Sequence, residues 1–276
     1  MTMLSINTNV GALTAAQHSY SVNKSMETSM ERLSSGKRIN SAADDAAGLA
    51  ISTRINAEIQ GLQQSIKNAA DAQSLLNVTE GALTEVHTIL LRMRELAVQA
   101  GNGTMNSDDQ AALDKEFQAL DDEVNRIASK TTWAGTKLLD ASNASGTFAF
   151  QAGVLASETI DVTIADMQSA ALGIASLEVS DTTKANAAIT ALDTAIKKVS
   201  TERANLGAFS NRLDSTVANL GQIGVNLAAS RGRIEDADFA QETGNLAKNQ
   251  ILQQAATAML AQANASQGTV LTLIQN

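Results

Sequence analysis

Between Ile55 and Ala97 apolar or small residues return at steps of three and four: Ile55, Ile59, Leu62, Ile66, Ala69, then Leu76, Leu83, Val86, Leu90, Met93 and Ala97. This is the period of a coiled-coil seam, because about 3.5 residues per turn keeps one stripe facing a partner helix. The chain has 276 residues and no proline, so nothing along such a run removes a backbone donor or clashes with the preceding turn. At about 1.5 Å per residue the helix is on the order of 70 Å long, too long for an ordinary globule. One irregular step between Ala69 and Leu83 predicts a local change of supercoil that does not end the helix.

The same pattern returns at Ile189, Leu192, Ile196, Val199, Arg203, Leu206, Ser210, Leu213, Val217, Leu220, Gly224, Leu227, Arg231 and Ile234. Most of these positions are aliphatic, enough to hold a seam, and the matching partner is the Ile55–Ala97 helix. In "QAGNGTMNSDDQ" Gly101 and Gly103 stop that helix, and Ser107 is a candidate N-cap with Asp108 and Asp109 at the positive end of the next one. This further helix runs to about Lys130 and buries Leu113, Phe117, Leu120, Val124 and Ile127. The period changes to two in "TFAFQ" (Thr147–Gln151) and "TIDVTI" (Thr159–Ile164), with Phe148, Phe150, Ile160, Val162 and Ile164 on one face each. These make one small β-hairpin, the only strand signal. The fold class is therefore mainly α: a long coiled-coil bundle of N- and C-terminal segments with a small β-hairpin in the middle.

The termini carry weaker stripes: Ile6, Val10, Leu13, Tyr20, Met26, Met30 and Leu33 at one end, Phe239, Leu246, Ile251, Ala255, Ala258, Val270 and Ile274 at the other. They are alanine-rich and thinly charged, so these helices have little to bury against alone and wait for a partner. In "RLSSGKRINSAADDAAGLAIS" (Arg32–Ser52) Ser35 and Gly36 end the N-terminal helix, glycine suiting the left-handed position past a helix end. Asn40 or Ser41 is expected to cap the long helix, and Asp44 and Asp45 to sit in its first turn, favoured by the dipole. The organisation that follows is a terminal-helix part of residues 1–43 with 235–276, a helical bundle of 44–140 with 185–234, and a short middle segment of 141–184 with the hairpin.

The formal charge is −9, which argues against nucleic acid as a partner, since phosphate binding needs clustered Lys and Arg. There is no cysteine, hence no disulfide framework or thiolate site. His18 and His87 belong to no spaced ligand set, and no Walker A, G-x-S-x-G or G-x-G-x-x-G motif occurs, so no metal, cofactor or catalytic residue is assigned and the chain is read as no enzyme. Met1–Val10 has no basic n-region, and no run of about 20 apolar residues could span a bilayer. The expectation is a chain that stays in the cytoplasm or leaves without a cleaved signal.

"SINTNVGALTAAQ" (Ser5–Gln17), "RLSSGKRINSAADDAAGLAIS", "RMRELAVQAGNGT" (Arg92–Thr104) and "SRGRIEDADFAQETGNLAKNQILQQAATAMLAQAN" (Ser230–Asn264) closely resemble the terminal signatures of bacterial flagellins. The resemblance covers roughly residues 1–140 and 185–276 and is similar to a minimal form without large outer domains. It implies a self-assembling subunit of the flagellar filament, the alternatives being a hook–filament junction protein or a soluble helical binding protein. It further implies assembly helices around Ile6, Val10, Leu13, Phe239, Leu246 and Ile251, which order when subunits stack. It makes Ser35, Gly36, Asn40, Ser41, Asp44 and Asp45 a connector between inner and outer parts. The implied partners are further copies and other flagellins, an export chaperone on the C-terminal segment, hook-associated and cap proteins, and a host innate receptor of the Toll-like family. Arg92, Leu96 and Glu116 match the receptor and subunit-contact surface, beside Leu91 where recognised flagellins often carry Gln. Trp133 stands where Phe is common, and the last apolar turn lacks a preceding proline often found in the family. Export through the flagellum's own apparatus would account for the N-terminus.

Overall fold

The structure, a computed structural model, describes residues 8–141 and 146–275, without the side chains at 267 and 269–275. In chain order the elements are α1 (Val10–Ser35), α2 (Ala46–Ala100), α3 (Ser107–Lys130), β1 (Thr132–Trp133), β2 (Thr136–Lys137), β3 (Thr147–Gln151), β4 (Thr159–Thr163), α4 (Ser169–Leu172), α5 (Thr182–Glu235) and α6 (Phe239–Gln275). Two compact units divide them, residues 1–57 with 226–276 and residues 58–225. Ile6 and the side chains of Val270 and Ile274 lie outside the described residues.

The helix starts share one chemistry. The side chains of Asn9, Asp45, Asn106, Asp181 and Asp238 each accept a backbone N–H from two or three residues on, supplying partners that the first helical turn otherwise lacks. Two expectations are corrected here. Asn106, not Ser107, caps α3, accepting from the N–H groups of Asp108 (2.9 Å) and Asp109 (2.8 Å). Asp45, not Asn40 or Ser41, caps α2, accepting from Gly48 N–H at 2.9 Å.

In the second unit α2 and α5 run antiparallel. Their register is marked by Gln73 bonded to Asp214 (2.5 Å), Arg203 to Glu80 (2.8 Å) and Arg94 to Asp193 (2.6 Å). Such exposed polar pairs contribute little energy and mainly fix alignment; the stabilisation lies in the seam they flank. Among the buried residues of α2, Ser65, Ala69, Ala72, Leu76, Thr79, Leu83, Val86, Leu90, Met93 and Ala97 follow an unbroken alternation of four and three, with Leu75 and Leu96 buried beside them. The irregular step expected between Ala69 and Leu83 is therefore absent. Ala72 and Thr79 take the intervening seats, and Thr79 is tolerated there because its hydroxyl donates to the Leu75 carbonyl at 2.9 Å. On α5 Leu192, Val199, Leu206, Leu213 and Leu220 are buried as the sequence pattern requires.

α3 adds Phe117 and Val124 to this core, with Leu113, Leu120 and Ile127 half-buried against it. The β3–β4 hairpin pairs Phe148 with Val162 and Phe150 with Ile160 in antiparallel register, as the alternation predicts. Its tip is tied to α2 by the Ser65 hydroxyl donating to Gly153 O (2.9 Å) and Asn68 to Gln151 O (3.1 Å). A second, two-residue ladder, β1–β2, was not expected from the sequence: Trp133 pairs with Thr136 around Ala134 (φ 48°) and Gly135 (φ 83°). Two positive φ values in a two-residue loop suit the twist of a hairpin.

The insertion also holds more than its hairpin. Asp114, Gln118, Asp121 and Asn125 form a stripe on α3 that secures the segment after β4. They bond Val179 N–H (2.7 Å), Leu177 O (2.8 Å), the Ser169 hydroxyl (2.5 Å) and Ser169 N–H (3.0 Å) respectively. Met167, Leu172, Ile174 and Val179 of that segment are buried. Burial raises the Asp121 carboxyl above its usual range, against the lowering effect of the Ser169 bond.

Candidate functional site

In the first unit α1 and α6 pair antiparallel. Asn9 donates to Ala263 O (3.1 Å), Gln253 to Asn23 Oδ1 (2.8 Å) and Arg32 Nη1 to Glu242 Oε1 (3.1 Å). The pair buries little: Ser29 is the buried residue of α1, and Glu242 is buried on α6. Around Glu242 burial opposes ionisation, but bonds from Arg32, Asn245 and Ser29 outweigh it and hold its carboxyl below the ordinary carboxylate range.

What these helices expose matters more than what they bury. Tyr20 is 73% and Ile251 67% exposed, and Val10, Leu13, Met30, Phe239, Leu252 and Met259 are also exposed. Leu246 is half-buried. The expected assembly residues Val10, Leu13, Phe239 and Ile251 thus lie at the surface of paired helices. Large apolar side chains left exposed in this number suit a contact surface, because a helix of a solitary globule turns its apolar stripe inward.

The connector residues are brought together with the start of α6. Gly36 adopts the left-handed conformation (φ 71°) and its N–H closes on Arg32 O at 2.9 Å, as expected for a glycine past a helix end. The chain then pairs with residues 235–237: Arg38 N–H donates to Glu235 O (2.6 Å), Ala237 N–H to Gly36 O (3.0 Å), and Lys37 bridges Asp236. The Lys37 ammonium bonds the Glu235 carboxylate, and Arg38 donates to Ile234 O at 2.8 Å. Ser35 accepts the Lys37 N–H at 3.1 Å. Asp44 does not sit in the first turn of α2. Its Oδ2 gathers Ser41 N–H (2.9 Å), Asn40 N–H (3.1 Å) and the Ser41 hydroxyl (3.1 Å), and these bonds hold its carboxyl below the usual range. Asn40 and Ser41 therefore belong to a turn that Asp44 closes, and Asp45 alone serves the helix.

Of the remaining candidates, Arg92 and Glu116 meet on the surface. Arg92 Nη2 and Nε bond Glu116 Oε1 at 2.8 and 3.1 Å, and Nη1 bonds Glu95 at 3.2 Å; these bonds, Glu116 first, raise the Arg92 pKa. Leu96, grouped with them by resemblance, is 1% exposed and packs in the core. On its helix Leu96 lies on the seam side, whereas Leu91 beside Arg92 is exposed.

Residues 6–144 match the family described as bacterial flagellin N-terminal helical region, and residues 189–274 that described as bacterial flagellin C-terminal helical region. The chain belongs to the flagellin family. It is 44% identical to a flagellin of Bacillus subtilis, over 98% of this chain and 99% of that one, and 44% identical to a flagellin of Halalkalibacterium halodurans with the same coverage. The crystal structure of Bacillus cereus flagellin superposes with a TM-score of 0.51 at 38% identity, covering 60% of this chain and 94% of that one. As a flagellin the chain is a structural, non-enzymatic subunit that self-assembles into the extracellular filament of the bacterial flagellum. Similarity to flagellins over nearly the whole length sets aside the junction-protein and soluble-binder alternatives.

Proposed function

We propose that the α1–α6 pair is the stacking element of this flagellin, and that Val10, Leu13, Phe239 and Ile251 with their exposed neighbours become buried against equivalent helices of further copies. The observation that supports this reading is the set of large apolar side chains left exposed on helices whose fully buried residues, among those described, are Ser29 and Glu242. Head-to-tail contacts of this kind do not close and so extend as a helical fibre. The terminal segments, residues 1–43 and 235–276, gain most of their order from those contacts, which is folding coupled to binding. Gly36 to Asp45 then acts as the joint between this inner part and an outer bundle of residues 44–140 and 185–234, held by its pairing with residues 235–237.

The same reading assigns the finer partners. An export chaperone covers the apolar face of the C-terminal segment before assembly, the chain passes through the flagellum's own apparatus without a cleaved signal, and hook-associated and cap proteins meet the filament ends. Arg92 and Glu116, exposed and joined, are the surface offered to a host innate receptor or a neighbouring subunit, with Leu96 supporting it from beneath. Deleting Glu235–Asn276 tests the stacking proposal. The expected product is a monomer that forms no fibres yet keeps the cooperative unfolding of the second unit, reported by the fluorescence of Trp133. Fibres pelleting from this truncation would refute it.

A further inference from the structure

We propose that the turn between α2 and α3 is a self-modification site, at which Asn102 converts spontaneously to aspartate and isoaspartate. Asn102-Gly103 is the only Asn-Gly dipeptide in the sequence, and no Asp-Gly occurs. The reaction needs a backbone amide nitrogen free to reach the preceding side-chain carbonyl carbon, and space for the five-membered imide that forms. Both conditions hold. Asn102 and Gly103 are exposed, and a Cβ built on Gly103 would meet no atom within 4 Å. Among the described residues neither the Gly103 N–H nor the Asn102 side-chain amide N–H donates a hydrogen bond, so neither the nucleophile nor the leaving group is held. The Asn102 Oδ1 accepts a single long bond, from Thr104 N–H at 3.4 Å, so the side chain is held more weakly than one that caps a helix.

The step balances without any outside reagent except water. The Gly103 nitrogen bonds to Asn102 Cγ and loses its proton to solvent. The Cγ–Nδ2 bond breaks, and the amide nitrogen leaves as ammonia. Water then opens the imide at either carbonyl, giving aspartate or, with the chain rerouted through the side chain, isoaspartate. Asn106, four residues on, is followed by Ser107, whose side chain crowds the attacking nitrogen, and its Oδ1 is fixed by two short bonds at 2.9 and 2.8 Å; Asn68 is held through its amide by Gln151 O. Conversion adds one negative charge to the formal −9. It does so beside the C-terminal carbonyls of α2, which already carry partial negative charge, so older subunits become chemically distinct at a surface turn.

The experiment is incubation of the purified full-length protein at neutral pH and 37 °C, with peptide mass mapping over time and enzymatic methylation to detect isoaspartyl carboxylates. The expected result is replacement of NH2 by OH at Asn102 ahead of every other asparagine, with isoaspartate among the products. In Gly103→Ala, whose methyl group shields the nitrogen, conversion slows by roughly tenfold, about 1.4 kcal/mol of activation free energy. Conversion at an equal rate in Gly103→Ala, aspartate without isoaspartate, or Asn102 changing no faster than Asn106 would each overturn the proposal.

Discussion

Leu90 and Leu91 are neighbours in α2 with opposite fates, and that contrast gives a sharp test of the seam. Leu90 is 0% exposed and Leu91 44%. Truncating Leu90 to Ala removes three buried carbon groups at about 0.8 kcal/mol each, roughly 2.4 kcal/mol in transfer alone. The long helices on either side cannot collapse fully into the space, and the residual cavity brings the cost to about 3 kcal/mol, within the usual range of about 2–5. For a unit the size of residues 58–225, each kcal/mol lowers the midpoint by about 2–4 °C, so Leu90→Ala should melt about 6–12 °C below wild type. Leu91→Ala removes a side chain that is 44% exposed and gains a better helix former, so it should cost about 1 kcal/mol or less. Trp133, the single tryptophan, is packed against the same core and reports the transition by fluorescence. Equal shifts for the two variants, or a larger one for Leu91→Ala, would refute the seam assignment.

Two further outcomes test local packing and charge. A Cβ at Gly61 would lie 2.8 Å from Val154 Cγ1 at the β3–β4 tip, so Gly61→Ala should destabilise the second unit by about 1–3 kcal/mol. Val154→Ala should restore most of that loss in the double variant, and a double variant no more stable than Gly61→Ala would count against the contact. The Glu242 carboxyl is held below the ordinary glutamate range by the Arg32, Asn245 and Ser29 bonds, which outweigh the opposing effect of burial. A carboxyl depressed in the folded state stabilises fully above its unfolded pKa and loses that contribution as pH falls through the folded value. The α1–α6 pairing should therefore weaken on acidification below about 4.5, and Glu242→Gln should be weaker at neutral pH while lacking this acid step; helical circular dichroism across an acid titration reads both, and an identical acid profile in the variant would contradict it.

The long helices were legible because a seam repeats its signal at every turn. Ala69, Leu76, Leu83 and Leu90 each report the same face, and the hydrophobicity pattern fails where a seat is filled by Ser65 or Thr79, whose hydroxyls bond backbone carbonyls. Single-residue events were less legible. Asn106 and Ser107 are both good caps, and so are Asn40, Ser41 and Asp45; only backbone direction decides between them. β1–β2 has two residues per strand, too few to show alternation, although Ala134-Gly135 is compatible with its turn. The clamp of Asp114, Gln118, Asp121 and Asn125 repeats at helical spacing on α3, but polar stripes ordinarily face water, and its partners lie tens of residues away. Leu96 shows the limit of resemblance: a matched position carries a role by analogy, while its burial follows from this chain's own seam.

The central claim is that exposed apolar residues on α1 and α6 drive subunits into a filament, and electron microscopy of the purified full-length protein tests it most directly. Negative-stain images would be taken before and after adding ammonium sulfate, which strengthens apolar burial, with filament fragments as seeds. The account predicts dispersed subunits at first and long tubes of uniform width after salt. A monodisperse monomer under every condition, seeds included, would contradict it.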